Sequence, residues 1–404
     1  MSCLSGPVPH DHAWWLQPAR LFDGERWRNG CAVRIEAGRV TAIEPVASLH
    51  AGETILRTGL LACPGFVDLQ VNGGGGALFN NAPLPRTLET IGDAHCRLGT
   101  TSWLPTFITD TADRLDLAVE TVISTMGRYG VIGMHVEGPH INVARKGTHS
   151  ADLIRAFDDR TMASLRRLRE AGVPTMLTLA PERVPPGLIA QLRAMGVMVS
   201  AGHTAATGAE IEAALGEGLN CFTHLHNGMT PLTSRDPGVV GAALDSDAWC
   251  GLIVDGHHLC DTTVRVSLRA RKRPERTFIV SDAMATVGGP EAFVLYGETI
   301  RVVDGRLVNS SGSLAGAHTD VARSVARLVD DIGLATERAL AMATSIPADA
   351  MGLADGTGRL VAGGRADLVL LERDLTVACV MREGRLVDTD AGDVTQRRSQ
   401  DKQG

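Results

Sequence analysis

Two textures alternate along the chain. Through its long middle, short apolar and β-branched runs recur, each followed by a stretch where apolar residues return every three or four positions, the period of an amphipathic helix. Eight such runs stand out, at 65–71, 101–107, 131–137, 174–180, 197–203, 219–224, 250–255 and 277–282. Between them lie helical patterns such as 160–171, with Leu165, Leu168 and Ala171 on one face. Strand and helix in alternation predict βα units around a parallel sheet, and eight units predict a closed (β/α)8 barrel of the TIM type. The pattern breaks at 288–312, which reads as a β-hairpin over the barrel mouth. Both chain ends lack the helical period. Strand-like pieces at 31–36 and 37–43 are matched late in the chain by 366–372 and 377–387, the latter turning at Glu383-Gly384. The ends are expected to combine into one small β-sandwich domain, residues 1–62 with 362–390, beside a barrel at 63–361; the polar tail 391–404 is expected to be disordered.

Composition narrows the classes of function. With 404 residues, 44% of them hydrophobic and 21% charged, the chain is an ordinary globular α/β protein. A formal net charge of -7 and the lack of any Lys/Arg run argue against a nucleic-acid partner. No apolar stretch approaches the ~18 residues of a membrane span. Eight cysteines at positions 3, 31, 63, 96, 221, 250, 260 and 379 show no C-x-x-C pair, so neither a disulfide framework nor a zinc finger is expected, and the cytoplasm is the default location.

The chemistry lies at the ends of the runs. In a (β/α)8 barrel the C-terminal strand ends converge on one face, and four runs end there in polar residues: Glu137, His203, His224 and Asp282. A lone strand-end histidine is usually structural, whereas a Glu, two His and an Asp on one face suit a hydrolytic metal site with a nearby base. Other histidines carry no such pattern. His135 belongs inside the third run, one layer below Glu137; His95 lies on a helix, His318 at a helix start, and His10 and His12 in a polar N-terminus. The glycines at 73–76 lack the Gly-Lys-Ser/Thr ending of a phosphate loop.

Motifs on these same residues carry a family resemblance. The stretches 64–73 (PGFVDLQVNG), 135–142 (HVEGPHIN), 146–149 (KGTH), 200–204 (SAGHT), 223–229 (THLHNGM), 235–238 (RDPG), 254–258 (VDGHH), 281–283 (SDA) and 312–316 (GSLAG) resemble those of N-acetylglucosamine-6-phosphate deacetylases of the amidohydrolase superfamily. The resemblance implies a barrel with a small β-sandwich, a homodimer, and removal of acetate from an N-acetyl amino sugar phosphate. It leaves open the galacto epimer and a different amidohydrolase such as a D-aminoacylase. Many amidohydrolases carry His-x-His on the first strand for a second metal, where this chain has Gln70-Val71-Asn72; amides are poor ligands, so one divalent ion is expected, on Glu137, His203 and His224. Zinc leads, and Fe(II), Co or Mn would also accept this set. The three lysines, Lys146, Lys272 and Lys402, stand at no strand end, which counts against a carboxylated-lysine centre of the cyclic-amidase kind.

Roles follow from the resemblance. Asp282 would be the general base and acid, and His149 would face the developing oxyanion. Asn227, the backbone at Gly228, Arg235 and Gln70 would contact the substrate, with His258 reaching it from the neighbouring subunit. Two positions depart from the family pattern. His226 stands where a Tyr is usual, as a replacement, an outer partner or an extra ligand. His257 beside His258 leaves the phosphate contact ambiguous, with motif alignment favouring His258.

Overall fold

The computed structural model describes residues 3–9, 11–310 and 312–388. His10 and the tail 391–404 lie outside the described residues. Eight parallel strands form one sheet: β1 (Phe66–Val71), β2 (Thr100–Ile108), β3 (Met134–Glu137), β4 (Thr175–Leu179), β5 (Met198–Ala201), β6 (Cys221–Phe222), β7 (Trp249–Leu252) and β8 (Thr277–Ile279). Each pairs with its neighbours in sequence order, so the predicted barrel is present, with every predicted run contributing one strand. Apart from Trp249 at the start of β7, the strands are buried because helices cover the outside of the barrel, which explains why the runs are largely apolar instead of alternating.

Local chemistry starts the helices. Thr111 and Asp158 accept backbone N–H bonds as N-caps of Ala112–Thr125 and Asp159–Glu170, and Thr207 with Glu210 forms a capping box for Gly208–Gly216. The main core joins barrel and helices around Phe66, Trp103, Phe107, Phe222 and Phe278.

One seam has no regular ladder. Between β8 and β1 the sheet is closed by the single bridge Val71 to Ala283 and by bonds from loop and side chain: Asn72 N–H to the Ala283 carbonyl at 2.9 Å, and Asp282 N–H to the Gln70 carbonyl at 3.0 Å. The Asp68 carboxylate, fully buried, accepts from the N–H groups of Gln70 at 3.1 Å and of Ser281 at 3.2 Å. It stands in for missing ladder bonds.

The 288–312 segment forms three antiparallel strands, Ala292–Leu295, Glu298–Val303 and Arg306–Val308, packed on a small core with Leu78, Ile108 and Met284 at the barrel mouth. Strands from the two chain ends share one sheet, in which Leu61–Pro64 pairs with Leu368–Leu371, and a second sheet holds the N-terminal strands Trp14–Gln17, Cys31–Glu36, Arg39–Pro45 and Ile55–Arg57. Cys3 and Cys379 are joined by a disulfide across 376 residues, a single bridge that the irregular cysteine spacing did not suggest. Spacing rules read neighbouring cysteines, and this pair meets only because the chain ends meet. No helix among the described residues is long and apolar enough to cross a membrane.

Leu177, on β4, is fully buried in the main core. Leu177→Ala is expected to lower unfolding free energy by about 2–5 kcal/mol, through lost burial and an incompletely collapsed cavity. Denaturant unfolding measures this; a change under about 0.5 kcal/mol, the scale of an exposed surface substitution, would contradict the packing described.

Candidate active site

Glu137 ends β3 with 2% of its surface exposed. Its Oε1 lies 3.1 Å from His203 Nε2 and 3.1 Å from His224 Nε2, and the two imidazole nitrogens are 3.1 Å from each other. Burial opposes charge on Glu137, but hydrogen bonds from His203 and His224 outweigh it and hold the carboxyl well below the usual range. Both histidines follow short strands and take left-handed backbone angles, φ 50° at His203 and 32° at His224. Such angles turn the chain sharply at the strand end and aim each ring back over the barrel axis, at a strain cost of order 1–3 kcal/mol per residue.

Two overlapping triads could grip one cation. One is Glu137, His203 and His224; the other is Glu137, His149 and His203, whose donor atoms all lie within 4.8 Å of one another. Proton placement separates them. His203 Nδ1 lies 2.8 Å from the Arg145 carbonyl, which can only accept, so Nδ1 bears a proton and Nε2, the nitrogen that faces Glu137, is the one left to bind a cation. A side chain on residue 228 would stand 3.1 Å from that Nδ1, which is one reason glycine, with φ 62°, is found there. His224 Nδ1 is buried without a partner. The Glu137 oxygen and the two Nε2 atoms stand 3.1 Å from one another, and ligands ~2.0–2.1 Å from a tetrahedral ion stand about 3.3 Å apart. The donor set fits a divalent cation.

His149 has the opposite arrangement. The Thr109 backbone N–H donates to its Nδ1 at 3.4 Å and the Thr109 hydroxyl lies 2.7 Å from the same atom. Nδ1 is therefore the acceptor, and the neutral ring carries its proton on Nε2. Burial, then the charge of His203, pushes its pKa down to about 3. A neutral ring with an N–H is a hydrogen-bond donor, not a ligand. Tyr296, at the tip of the mouth hairpin, donates its hydroxyl to the Thr109 carbonyl and so holds the same anchor from outside.

Across the barrel, Asp282 also has a left-handed backbone, φ 51°. Burial first, then the negative charge of Glu137, raises its pKa to about 6, against the opposing pull of His224 and His258. That suits a group exchanging protons near neutrality. Gln70, grouped by sequence with the substrate contacts, is instead committed to the two carboxylates: Nε2 donates to Glu137 Oε2 at 3.1 Å and to Asp282 Oδ1 at 3.2 Å. Sequence reasoning passed over Asn72 and Asp68 as chemistry. The available signal was their spacing, since 68, 70 and 72 share one face of β1.

The remaining candidates separate. Asn227 donates its side-chain amide to the His224 carbonyl at 3.2 Å, bracing that turn. His258 bonds through Nδ1 to Asp255 at 2.7 Å and its charge acts on Asp282 of the same chain, whereas His257 is exposed against Gly305. His226 Nε2 lies 2.6 Å from the Ser267 hydroxyl, away from the Glu137 cluster, so it is not an extra ligand. Arg235 is exposed in the 231–237 loop, with no hydrogen bond or ion pair among the described residues. His135, satisfied by the Leu69 carbonyl and Thr178, lies below the cluster as expected.

Comparison with known proteins bears on this arrangement. The family model described as the amidohydrolase family matches residues 61–387. The chain is 36% identical to an N-acetylgalactosamine-6-phosphate deacetylase of Shewanella sp. (strain ANA-3), over 88% of this chain and 91% of that protein. It is 33% identical to an N-acetylglucosamine-6-phosphate deacetylase of Haemophilus influenzae, over 88% and 94%. The crystal structure of N-acetylglucosamine-6-phosphate deacetylase from Pasteurella multocida superposes with a TM-score of 0.87 at 32% identity, covering 93% of this chain and 99% of that one.

The two triads are distinguishable by which histidine loses the metal when it is replaced. Metal content of purified variants should fall in His224→Ala by more than the ~10–100-fold in affinity lost on removing an outer partner. His149→Ala should keep its metal. The reverse pattern would place His149, and not His224, on the cation.

Proposed function

The chain belongs to the amidohydrolase family, and from that premise we propose that it hydrolyses the acetamide of N-acetylglucosamine 6-phosphate, releasing acetate and glucosamine 6-phosphate. The observation that carries the reading is the cluster of Glu137, His203 and His224 facing Asp282 across one barrel mouth. The relatives named above divide between the gluco and galacto epimers, so N-acetylgalactosamine 6-phosphate is the second substrate to test.

Glu137, His203 and His224 would hold one divalent ion, for which we propose zinc. Such an ion supplies Lewis acidity, polarising the acyl oxygen and making water acidic near neutral pH. Asp282 takes a proton from the attacking water as the new C–O bond forms at the acetyl carbon. It returns that proton to the amide nitrogen as the C–N bond breaks, so the amine leaves neutral and the acid product loses its remaining proton to solvent as acetate. His149, whose N–H points from Nε2, donates to the acyl oxygen as negative charge builds there. For the phosphate we propose Arg235, able to fork across two oxygens once the 231–237 loop is in place, with His258, Asn227 and the Gly228 backbone nearer the sugar. We further propose a homodimer, with His258 also available to the neighbouring subunit, and a cytoplasmic location, where Cys3 and Cys379 would be reduced for most of their lifetime.

Acetate release should be measured on both epimeric phosphates and on unphosphorylated N-acetylglucosamine. Preference for the gluco phosphate is expected; no release from any of them by metal-loaded protein would overturn the reading. Asp282→Asn should bind metal and lose about 10²–10⁴-fold in kcat. Arg235→Ala is expected to lower kcat/KM on phosphorylated sugar by about 10–100-fold, equivalent to the ~1.5–3 kcal/mol of a charged hydrogen bond, with little effect on the unphosphorylated one. Equal losses on both would remove Arg235 from the phosphate.

A further inference from the structure

Asn72 sits where many amidohydrolases place a metal-binding histidine, yet it makes no hydrogen bond to Glu137, His203 or His224. Its one side-chain bond is from Nδ2 to Asp282 Oδ1, at 2.7 Å the shorter of the two amide contacts on that carboxylate. The residue is 1% exposed, and its own side-chain oxygen is buried without a partner. A buried amide oxygen with no donor is costly, of order 1–3 kcal/mol. The amide is nevertheless oriented with its nitrogen toward Asp282, because the reverse orientation would set an oxygen against a carboxylate. The backbone fixes the same geometry: Asn72 N–H binds the Ala283 carbonyl and Asp282 N–H binds the Gln70 carbonyl, tying strand one to the acid and to the residue that follows it.

Both amide donors meet one oxygen. Gln70 and Asn72 together saturate Oδ1 of Asp282, and an oxygen already accepting two N–H bonds is a poor place for a proton. Oδ2 carries no bond from either amide. Resting on the proposed deacetylase reading, we propose that Asn72 is a positioning residue: with Gln70 it occupies Oδ1 of Asp282 and so assigns Oδ2 as the oxygen that takes the proton from water and returns it to the leaving nitrogen. Without this clamp the carboxylate can rotate about its last bond, and the basic lone pair is no longer aimed at the reacting atoms.

Gln70 also touches Glu137, so its substitution would disturb the cation site; Asn72 offers the cleaner test. Steady-state acetate release should be compared for the wild type, N72A and N72D, alongside metal content and melting temperature. N72A removes the donor, and kcat should fall about 10–100-fold, the cost of misaiming a group by about an ångström. KM should stay within about threefold and metal content should match the wild type, since no ligand or substrate contact is removed. N72D keeps the shape but turns a donor into an acceptor facing Oδ1, so it should be worse than N72A. A packing role predicts the opposite order, because aspartate fills the space that alanine leaves empty. N72D equal to or better than N72A, or N72A within about threefold of wild type, would overturn the proposal. If N72A does not fold, N72S replaces it in the same comparison with N72D. An inactive wild type would instead refute the deacetylase reading, so the two failures are distinct.

Discussion

A carboxylate that the barrel has removed from water governs the mouth of this protein. Glu137 has almost no exposed surface, and leaving a buried charge without a partner costs about 3–5 kcal/mol. Each nearby polar group answers that cost. Two imidazoles meet Oε1 and the Gln70 amide meets Oε2, so both oxygens are engaged from within the fold. The same low-dielectric site pushes neighbouring acids the other way: Asp282 to about 6 and Asp68 to about 7, in both cases by burial first and then by nearby negative charge. One ionised carboxylate, held low, thus raises the proton affinity of the acid that faces it. The pair of unlike acids that hydrolysis needs arises from a single electrostatic arrangement.

Geometry at the mouth is obtained through strained backbone. His203, His224, His226 and Asp282 all adopt positive φ without being glycine, and all follow barrel strands. At roughly 1–3 kcal/mol each, such angles persist only where surrounding structure over-determines them. Here the barrel does so: the Asn142 N–H binds the His203 carbonyl, Asn227 binds the His224 carbonyl twice, through its backbone N–H and its side chain, and Gln70 receives the Asp282 N–H. A rigid parallel sheet with apolar helices outside supplies the stability against which the strain is set.

Much of this was legible in the sequence, because it depends on period and on strand ends. All eight barrel strands were visible as apolar runs, and the four polar residues that converge stood at run ends, where topology alone brings them to one face. What was not legible depends on contacts between distant segments. The direction of His226 is set by Ser267, 41 positions away. The proton on His149 is set by Thr109, 40 positions back, and that on His203 by the Arg145 carbonyl. Choosing between two histidines as ligand therefore needed coordinates, since both are strand-end or loop imidazoles of identical chemistry. The Cys3–Cys379 bridge escaped for the same reason.

The seam between strands one and eight joins these points. A barrel must close somewhere, and here the closing contact is made by side chains instead of a continuous ladder. Alternation on β1 sets Asp68, Gln70 and Asn72 facing inward at successive heights. The lowest caps the N–H of Ser281, the middle one links the Glu137 carboxylate to the acid, and the highest holds that acid alone. Because Gln70 bonds to both Glu137 and Asp282, a shift of strand one moves both halves of the site together. Replacing a ligating histidine pair by two amides need not leave a gap in the site: an amide is a weak ligand but a good donor, and two carboxylates give it something to donate to. At the two positions that would hold a second ion in a His-x-His barrel, this chain sets two amides that both donate to Asp282.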